Sequence, residues 1–122
     1  MKKSSEGIIP YSSQFIDKND INSVKTVLNS QYLTQGPLVP KFEKSLSNYC
    51  KTKFAVVLNS ATSALHVACL ALGLKKGDYL WTTPISFVAT ANCGLYCGAK
   101  IDFIDIDINT FNLNVDLLEK KL

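Results

Sequence analysis

Three short apolar runs constrain the fold of this chain more than any other feature. They are FAVVL at Phe54–Leu58, a run at Tyr79–Thr82 and a run at Ile101–Ile104. FAVVL is continuously apolar, as is typical of a strand buried on both faces of a parallel sheet, and the other two runs are interpreted as the second and third strands. A segment with helical character follows each run, so the predicted order is β-α-β-α-β-α. This order indicates an α/β fold, with a mostly parallel sheet and flanking helices.

The helices of this unit are predicted at Ser63–Leu72, at about Ser86–Cys97 and from Leu113 onward, with Asn114 as a cap. Gly73 and Gly98 follow the first two and favour helix ends there. These elements fill residues 53–122. Because a three-stranded parallel sheet has edges that need cover, and the chain stops within the last helix, we expect the opening part of a larger domain.

Residues 1–52 are predicted to form an arm and two helices in front of the sheet. The arm covers about Met1–Phe15, and Asp17 is the expected cap of a helix that runs to about Ser30. Gly36-Pro37 is a strong turn signal, and a second helix is expected over about Leu38–Cys50. The apolar side chains that this second helix is expected to bury are Val39, Phe42, Leu46 and Tyr49. The prediction is one incomplete domain over residues 1–122.

Charge and hydropathy narrow the classes of function. The 122 residues include 13 basic and 10 acidic side chains, a net charge of +3, and no run of like charge longer than two residues. A nucleic-acid partner is therefore not expected. No window reaches the ~18 apolar residues of a membrane helix, and the N-terminus lacks the apolar stretch of a signal peptide. We expect a cytoplasmic protein, without a membrane partner, whose four cysteines remain free thiols.

The stretch Asn59–Leu65, NSATSAL, lies where the first predicted strand turns into a helix. In a parallel α/β sheet, ligands bind beyond the carboxyl ends of the strands. Free N–H groups at the start of a helix, with the hydroxyls of Ser60, Thr62 and Ser63, suit a phosphate. The spacing by itself favours the simpler hypothesis that Ser60 or Thr62 only caps the helix. Neither glycine-rich nucleotide motif, G-x-x-x-x-G-K or G-x-G-x-x-G, is present.

A second stretch, Thr82–Asn92, also follows a predicted strand and opens a helix. Its aromatic residue, Phe87, is suited either to stack on a planar ligand or to fill the core. The residues alone leave both hypotheses open.

Other groups with metal-ligand side chains are weaker candidates. Cys93 and Cys97 are four residues apart on a predicted helix, but the chain has a single histidine, in another segment. Asp102, Asp105 and Asp107 alternate at a strand end, without further carboxylates nearby in the sequence. No metal site is predicted.

Several motifs in consistent order resemble one enzyme family. They are LTQGP, Phe42-Glu43, NSATSALHVACLALGL, Gly77-Asp78, TTPISFVATAN and GAKIDFIDID. Over nearly the whole chain, from about Ile9 to the end, this pattern is similar to the DegT/DnrJ/StrS family of sugar aminotransferases. The resemblance implies the N-terminal part of the large domain of a fold-type-I transferase that depends on pyridoxal 5′-phosphate (PLP).

The resemblance also implies the residues of the site. The phosphate-binding turn of the family matches Ser60, Ala61 and Thr62, and its ring-stacking aromatic matches Phe87. Segments near the sugar nucleotide match Tyr11 in the arm and the loop from Thr34 to Gly36. The lysine that binds the cofactor covalently, and the aspartate that pairs with its ring nitrogen, match nothing in this chain. No catalytic residue is therefore assigned, and the chain alone is expected to be inactive.

The function implied for a complete protein is transfer of an amino group, with glutamate as the donor, to a 4-keto UDP-sugar. Pseudaminic acid or a related nucleotide sugar is the implied product pathway, and a homodimer is the implied assembly. Three alternatives stay open. They are a sugar dehydratase on the same scaffold, a truncated remnant without activity, and a nucleotide-binding module of another class.

Overall fold

The computed structural model describes residues 10–122, so most of the predicted arm lies outside the described residues. Within this range the helices and strands follow one another as α1 Lys18–Leu28, α2 Leu38–Cys50, α3 Ala61–Ala71, β1 Tyr79–Thr82, α4 Ala89–Tyr96, β2 Lys100–Phe103 and α5 Val115–Glu119. The bounds of α2 and β1 agree with those predicted from the sequence.

The two strands form a parallel pair that runs in register from Tyr79 opposite Lys100 to Thr82 opposite Phe103. Parallel neighbours need a crossover connection, and α4 supplies it. Helix α4 packs on both strands and on α3. The parallel sheet with helical cover confirms the α/β class.

The core of this unit consists mainly of small side chains. Ala89, Cys93, Ala99 and Ile104 are each no more than 5% exposed. Gly94 lies in the same interface, where a Cβ atom would come within 2.6 Å of Ile101 Cδ1 and 3.1 Å of Leu80 Cβ. The absence of a side chain at residue 94 thus allows α4 to approach the strands closely.

The strand expected at Phe54–Leu58 is not formed, so the sheet has two strands rather than three among the described residues. The segment is nonetheless followed directly by α3, as predicted. Its alternation is strand-like, since Phe54 and Val56 are exposed while Ala55 and Val57 are half-buried. A strand requires a ladder of hydrogen bonds to a neighbour, and residues 10–122 provide none to this segment. Instead, the Val57 N–H donates to Glu43 Oε1 at 3.0 Å.

Helices α1 and α2 form where predicted but do not bury their apolar faces. Asp17 caps α1 as expected, accepting hydrogen bonds from the N–H groups of Asn19 and Asp20. The prediction that α2 buries its apolar residues was wrong, because Tyr49 is 87% exposed, Phe42 is 55% exposed, and Ser47 is its buried residue. The reason is that neither helix packs against another helix or strand of the described chain.

Two helix starts differ from the sequence-based expectation. Helix α4 begins at Ala89 rather than about Ser86, because residues 84–86 form a bend after β1. Helix α3 begins at Ala61 rather than Ser63. Asn114 caps α5 as predicted, its side-chain oxygen accepting from the Leu117 N–H at 3.0 Å.

Candidate cofactor site

The start of α3 is organised by Ser60. Its hydroxyl accepts a hydrogen bond from the Ser63 N–H at 3.1 Å and lies 3.0 Å from the Ser63 hydroxyl. Ser60 is therefore a helix N-cap, one of the two roles that its position allowed. Because the cap satisfies the third N–H of the helix, it also fixes the backbone of the turn on which a ligand site would depend.

The cap leaves the first two amide groups of α3, those of Ala61 and Thr62, without an acceptor among the described residues. Thr62 is half-buried and its hydroxyl also has no hydrogen-bond partner in the described part of the chain. Ala61 is exposed and small, so its side chain leaves room for a ligand at the backbone. A phosphate group accepts hydrogen bonds only, and this donor set therefore fits it.

The electrostatics of this turn come from dipoles rather than from charged side chains. No residue from Asn59 to Ser63 is ionisable. The N-terminal end of a helix dipole stabilises an anion by about 0.3–1 kcal/mol at an exposed position. Most of the affinity for a phosphate would therefore come from the amide and hydroxyl hydrogen bonds.

Phe87 lies in the turn between β1 and α4, and its side chain is 74% exposed. Its carbonyl oxygen accepts the Thr90 N–H at 3.0 Å, which fixes the backbone beside the ring. Within residues 10–122 the ring does not fill the core, so the core hypothesis is not supported. Its role in stacking on a cofactor stays a prediction.

The predicted substrate residues lie in the N-terminal part of the described chain. Tyr11 is fully exposed and Thr34 is exposed, whereas Gly36 is half-buried. A Cβ atom on Gly36 would lie 3.2 Å from both Cβ and the carbonyl oxygen of Tyr32, so the loop is closely folded there. No hydrogen bond joins these residues to Ser60 or Phe87 among the described residues. The structure thus groups Ser60, Ala61 and Thr62 in one turn.

A cavity of about 300 Å³ lies between the end of α1 and the start of α2. It is lined by Thr26, Val27, Ser30, Tyr32, Leu33, Gln35, Gly36, Pro37, Leu38 and Val39. Gly36 belongs to this lining, but Thr34, Tyr11 and the α3 turn do not. The lining has no charged side chain for a diphosphate, and the volume is at the lower limit of ordinary ligand pockets. The cavity therefore does not coincide with the predicted phosphate-binding turn.

The perturbed titratable groups also lie outside that turn. A hydrogen bond from Lys121 lowers the pKa of Asp102 on β2, and the N–H of Thr110 lowers that of Asp107 in the following loop. Burial, and then a hydrogen bond with Cys93, raises the pKa of Cys69 to about 11, which keeps this thiol protonated and unreactive at neutral pH. None of these groups provides a general base beside Ser60.

Among residues 10–122 no cluster of three or more histidine, cysteine, aspartate or glutamate side chains is arranged to hold a metal ion. In the same range, no helix combines the length and apolar character needed to cross a membrane. All four cysteines are free, with Cys93 buried and Cys50 exposed.

The sequence model of the DegT/DnrJ/EryC1/StrS aminotransferase family matches residues 14–122. The chain belongs to this family. One relative within the family is the UDP-4-amino-4,6-dideoxy-N-acetyl-beta-L-altrosamine transaminase of Campylobacter jejuni (strain 81-176), which is 49% identical over 115 residues. That match covers 94% of this chain and 30% of the transaminase. The chain thus spans about 30% of the length of this curated relative.

Solved structures of this aminotransferase family share the fold. PseC of Helicobacter pylori, an aminotransferase of pseudaminic acid biosynthesis, matches with a TM-score of 0.86 and 42% identity, over 93% of this chain and 31% of PseC. A GDP-4-keto-6-deoxymannose-3-dehydratase, solved with a trapped PLP-glutamate geminal diamine, matches with a TM-score of 0.85 and 28% identity. This match covers 93% of the present chain and 31% of the dehydratase. The fold is that of the N-terminal part of PLP-dependent sugar aminotransferases.

Glu43 has no role assigned from the sequence, yet its carboxylate accepts the Val57 N–H in the segment before the predicted phosphate-binding turn. Phe42-Glu43 was noted only as one of the motifs that carry the family resemblance. The sequence did contain a signal for this contact, because Glu43 lies next to the apolar positions of α2. A half-buried carboxylate at such a position requires a hydrogen-bond donor. Only the folded chain identifies that donor as the Val57 N–H, 14 residues away.

Proposed function

We propose that this chain forms the cofactor-anchoring part of a PLP-dependent aminotransferase that transfers an amino group to a 4-keto UDP-sugar. Glutamate is the proposed donor, and pseudaminic acid or a related nucleotide sugar is the proposed product pathway. The observation that carries the proposal is the Ser60-capped start of α3, with unpaired N–H groups on Ala61 and Thr62, in a family member. The 49% identity to the Campylobacter jejuni transaminase supports the choice of substrate class.

The phosphate of PLP is assigned to the turn at Ser60, Ala61 and Thr62. The N–H groups of Ala61 and Thr62 would donate to its oxygens, and the Thr62 hydroxyl would be a third donor. Ser60 orders the turn through its capping bond, in which its hydroxyl oxygen accepts the Ser63 N–H. That bond does not use the Ser60 O–H, which would be a further donor to the phosphate. Residues 59–63 carry no charged side chain, so this turn would hold the phosphate through preorganised amide and hydroxyl donors.

The pyridine ring of PLP is assigned to Phe87. An exposed aromatic side chain can offer one face to a planar ring in an offset arrangement and restrict its tilt. When bound, PLP supplies the electron sink that stabilises negative charge next to the transferred amino group. The residues of this chain thus anchor and orient the cofactor at two points, through its phosphate and through its ring.

Substrate contacts are assigned to Tyr11 and to the loop from Thr34 to Gly36. Tyr11 and Thr34 are exposed in residues 10–122, so their hydroxyl groups are accessible to a sugar nucleotide, whereas Gly36 is half-buried. The covalent and proton-transfer steps are assigned to no residue of this chain, which spans 30% of its curated relative. The active assembly is proposed to be a cytoplasmic homodimer whose partners are the UDP-sugar and the amino-acid donor, without nucleic acid or membrane.

A chimera tests this function directly. It joins this chain to the part of the Campylobacter jejuni transaminase that follows the matched 30% of that enzyme. We expect the chimera to develop PLP absorbance and to aminate a 4-keto UDP-sugar with glutamate, whereas the 122-residue chain alone gives no turnover. A chimera that folds, as judged by circular dichroism, but binds no PLP would contradict the proposal.

Phe87→Ala in the same chimera tests the ring contact. Because aromatic contacts contribute about 0.5–1.5 kcal/mol beyond area burial, we expect PLP affinity to fall roughly two- to tenfold. The fold should remain intact, since the Phe87 side chain is 74% exposed. Phe111→Ala is the matched control, because that ring is 69% exposed and lies in the loop after β2. Equal PLP affinity of both variants would remove Phe87 from the site.

Sugar dehydration is the second candidate, favoured by the structural match to the GDP-4-keto-6-deoxymannose-3-dehydratase. Its lower identity, 28% against 49% for the transaminase, places it second. Product analysis of the full-length gene product separates the two, since amination adds nitrogen to the sugar and dehydration removes water. A remnant without activity would bind no PLP, and a nucleotide-binding module would prefer ATP or NAD to PLP.

A further inference from the structure

We propose that Glu43 is a positioning residue for the cofactor phosphate, acting through the backbone of Val57. This inference rests on the proposed function, since it concerns the same phosphate-binding turn. Glu43 lies on α2, outside the turn, and has no proposed contact with the cofactor. Its carboxylate sets where the turn begins.

The contact is a hydrogen bond between distant parts of the sequence. Glu43 Oε1 accepts the Val57 N–H at 3.0 Å, and both residues are half-buried. A hydrogen bond between a backbone N–H and an ionised carboxylate is shorter and stronger than a neutral one. Because the bond is partly buried, competition with solvent weakens it less than it would weaken a fully exposed bond.

The position of Val57 determines the position of the turn. Val57 precedes Ser60, the cap of α3, by three residues without a glycine between them. Three residues of extended chain span only about 10 Å, so displacement at Val57 passes directly to the first N–H groups of α3. A shift of this kind matters because a hydrogen bond to phosphate weakens steeply outside its narrow range of distance and angle.

Few other hydrogen bonds reach this segment from residues 10–122. No strand pairs with Phe54–Leu58 within residues 10–122, and the other hydrogen bond to this segment is local, from the Thr52 hydroxyl to the Phe54 carbonyl. Glu43 therefore provides the hydrogen bond that fixes the segment to α2. Without an acceptor at residue 43, the Val57 N–H would lose its partner and the turn would lose a fixed distance to α2.

The experiment compares PLP with pyridoxal, which lacks the phosphate, in the chimera described above. Dissociation constants for both ligands are measured for the parent and for Glu43→Ala, Glu43→Gln and Glu43→Asp. Glu119→Ala is the matched control, because Glu119 is an exposed carboxylate on α5. Circular dichroism and thermal unfolding monitor the fold of each variant.

If Glu43 positions the turn, Glu43→Ala weakens PLP binding about tenfold while pyridoxal binding stays within about twofold. Glu43→Gln keeps an acceptor oxygen at the same reach and restores most of the PLP affinity. Glu43→Asp keeps the charge but is one methylene shorter, so it behaves like Glu43→Ala. Glu119→Ala matches the parent with both ligands.

Equal losses for PLP and pyridoxal would overturn the proposal, because Glu43 would then support the fold in general. Unchanged PLP affinity in a folded Glu43→Ala variant would overturn it as well. If Glu43→Ala does not fold, the contrast between Glu43→Gln and Glu43→Asp decides the question. A parent chimera that binds PLP no better than pyridoxal would instead contradict the phosphate site itself, and with it the proposed function.

Discussion

The two N-terminal helices and the α3-β1-α4-β2 unit differ in packing. In residues 10–122 the helices are regular but unpacked, whereas the unit has a packed interior. Helices α1 and α2 are well formed, with a capping box at Asp17 and an αL residue, Lys51, at the end of α2. They nevertheless pack against no other helix or strand in residues 10–122. The α3-β1-α4-β2 unit, by contrast, does form a core, which is built mainly from small side chains. Its buried residues include Ala89, Cys93 and Ile104. Regular secondary structure in this chain therefore does not imply burial.

The starts of α1 and α3 differ in a way that bears on function. Asp17 and Asp20 place two carboxylates at the start of α1, where they accept the N–H groups of Asn19, Asp20 and Asp17 itself. Ser60 caps α3 without a charge, and the third helical residue is Ser63 rather than an acid. The positive end of α1 thus faces two carboxylates of its own, whereas the positive end of α3 has no charged side chain among residues 59–63.

The largest expected loss of stability is that of Gly94→Val, which adds a side chain to the packed interior of the α3-β1-α4-β2 unit. A Cβ at residue 94 meets Leu80 Cβ at 3.1 Å, and that atom is tied to the backbone of β1 and cannot swing away. We expect unfolding in urea to show a loss of about 2–3 kcal/mol, at the upper part of the range for overpacked cores.

Asn22→Val in α1 is the matched control for Gly94→Val. Asn22 is exposed on a helix that packs against no other element of the described chain, and asparagine and valine have similar helix propensity. We expect a change within about 0.5 kcal/mol. Equal costs at Gly94 and Asn22 would contradict the distinction between the two regions.

Ser60→Ala removes the cap of α3 and so tests whether the starts of α1 and α3 differ in function. Loss of the cap should cost about 1 kcal/mol of stability and also weaken PLP binding, because the turn is no longer fixed. Ser60→Asp should keep the cap and the stability but weaken PLP binding through charge repulsion with the phosphate. Urea unfolding and PLP titration of the chimera measure the two effects separately.

Asp17→Ala removes the corresponding cap from α1. It should cost a similar amount of stability, again about 1 kcal/mol, with PLP affinity unchanged. A loss of PLP affinity equal to that of Ser60→Ala would show that the start of α3 has no special relation to the cofactor.

The pair formed by Lys121 and Asp102 gives the smallest expected effect. Because the pKa of Asp102 is lowered in the folded chain, its ionised form is favoured there. The resulting stabilisation is present above the ordinary carboxyl pKa of 3.8 and is lost as pH falls through the lower pKa of the folded state. Lys121→Met should raise the Asp102 pKa toward 3.8, as measured by carboxyl chemical shifts in an NMR titration. An unchanged titration would mean that Lys121 is not the cause.

Much of the local structure was predictable because helix formation depends on neighbouring residues. Asp17 and Asn114 were recognised as caps, and the Gly36-Pro37 turn placed the start of α2 correctly. The predicted phosphate-binding turn at Ser60 does begin a helix. The start of α4 was less predictable. The sequence pattern allowed the helix to begin at Ser86, but Ser86 and Phe87 lie in the turn after β1.

The sequence by itself determined the helices, the order of the elements and the membership of the family, since each depends on local spacing or on short motifs. Only the tertiary structure shows that, within residues 10–122, Phe54–Leu58 forms no strand and the apolar faces of α1 and α2 stay exposed. A strand and a buried face both need a partner from elsewhere in the chain, and a residue cannot signal that partner through its immediate neighbours. The hydrogen bond from Val57 to Glu43 is of the same kind, because it joins residues 14 positions apart through the folded backbone.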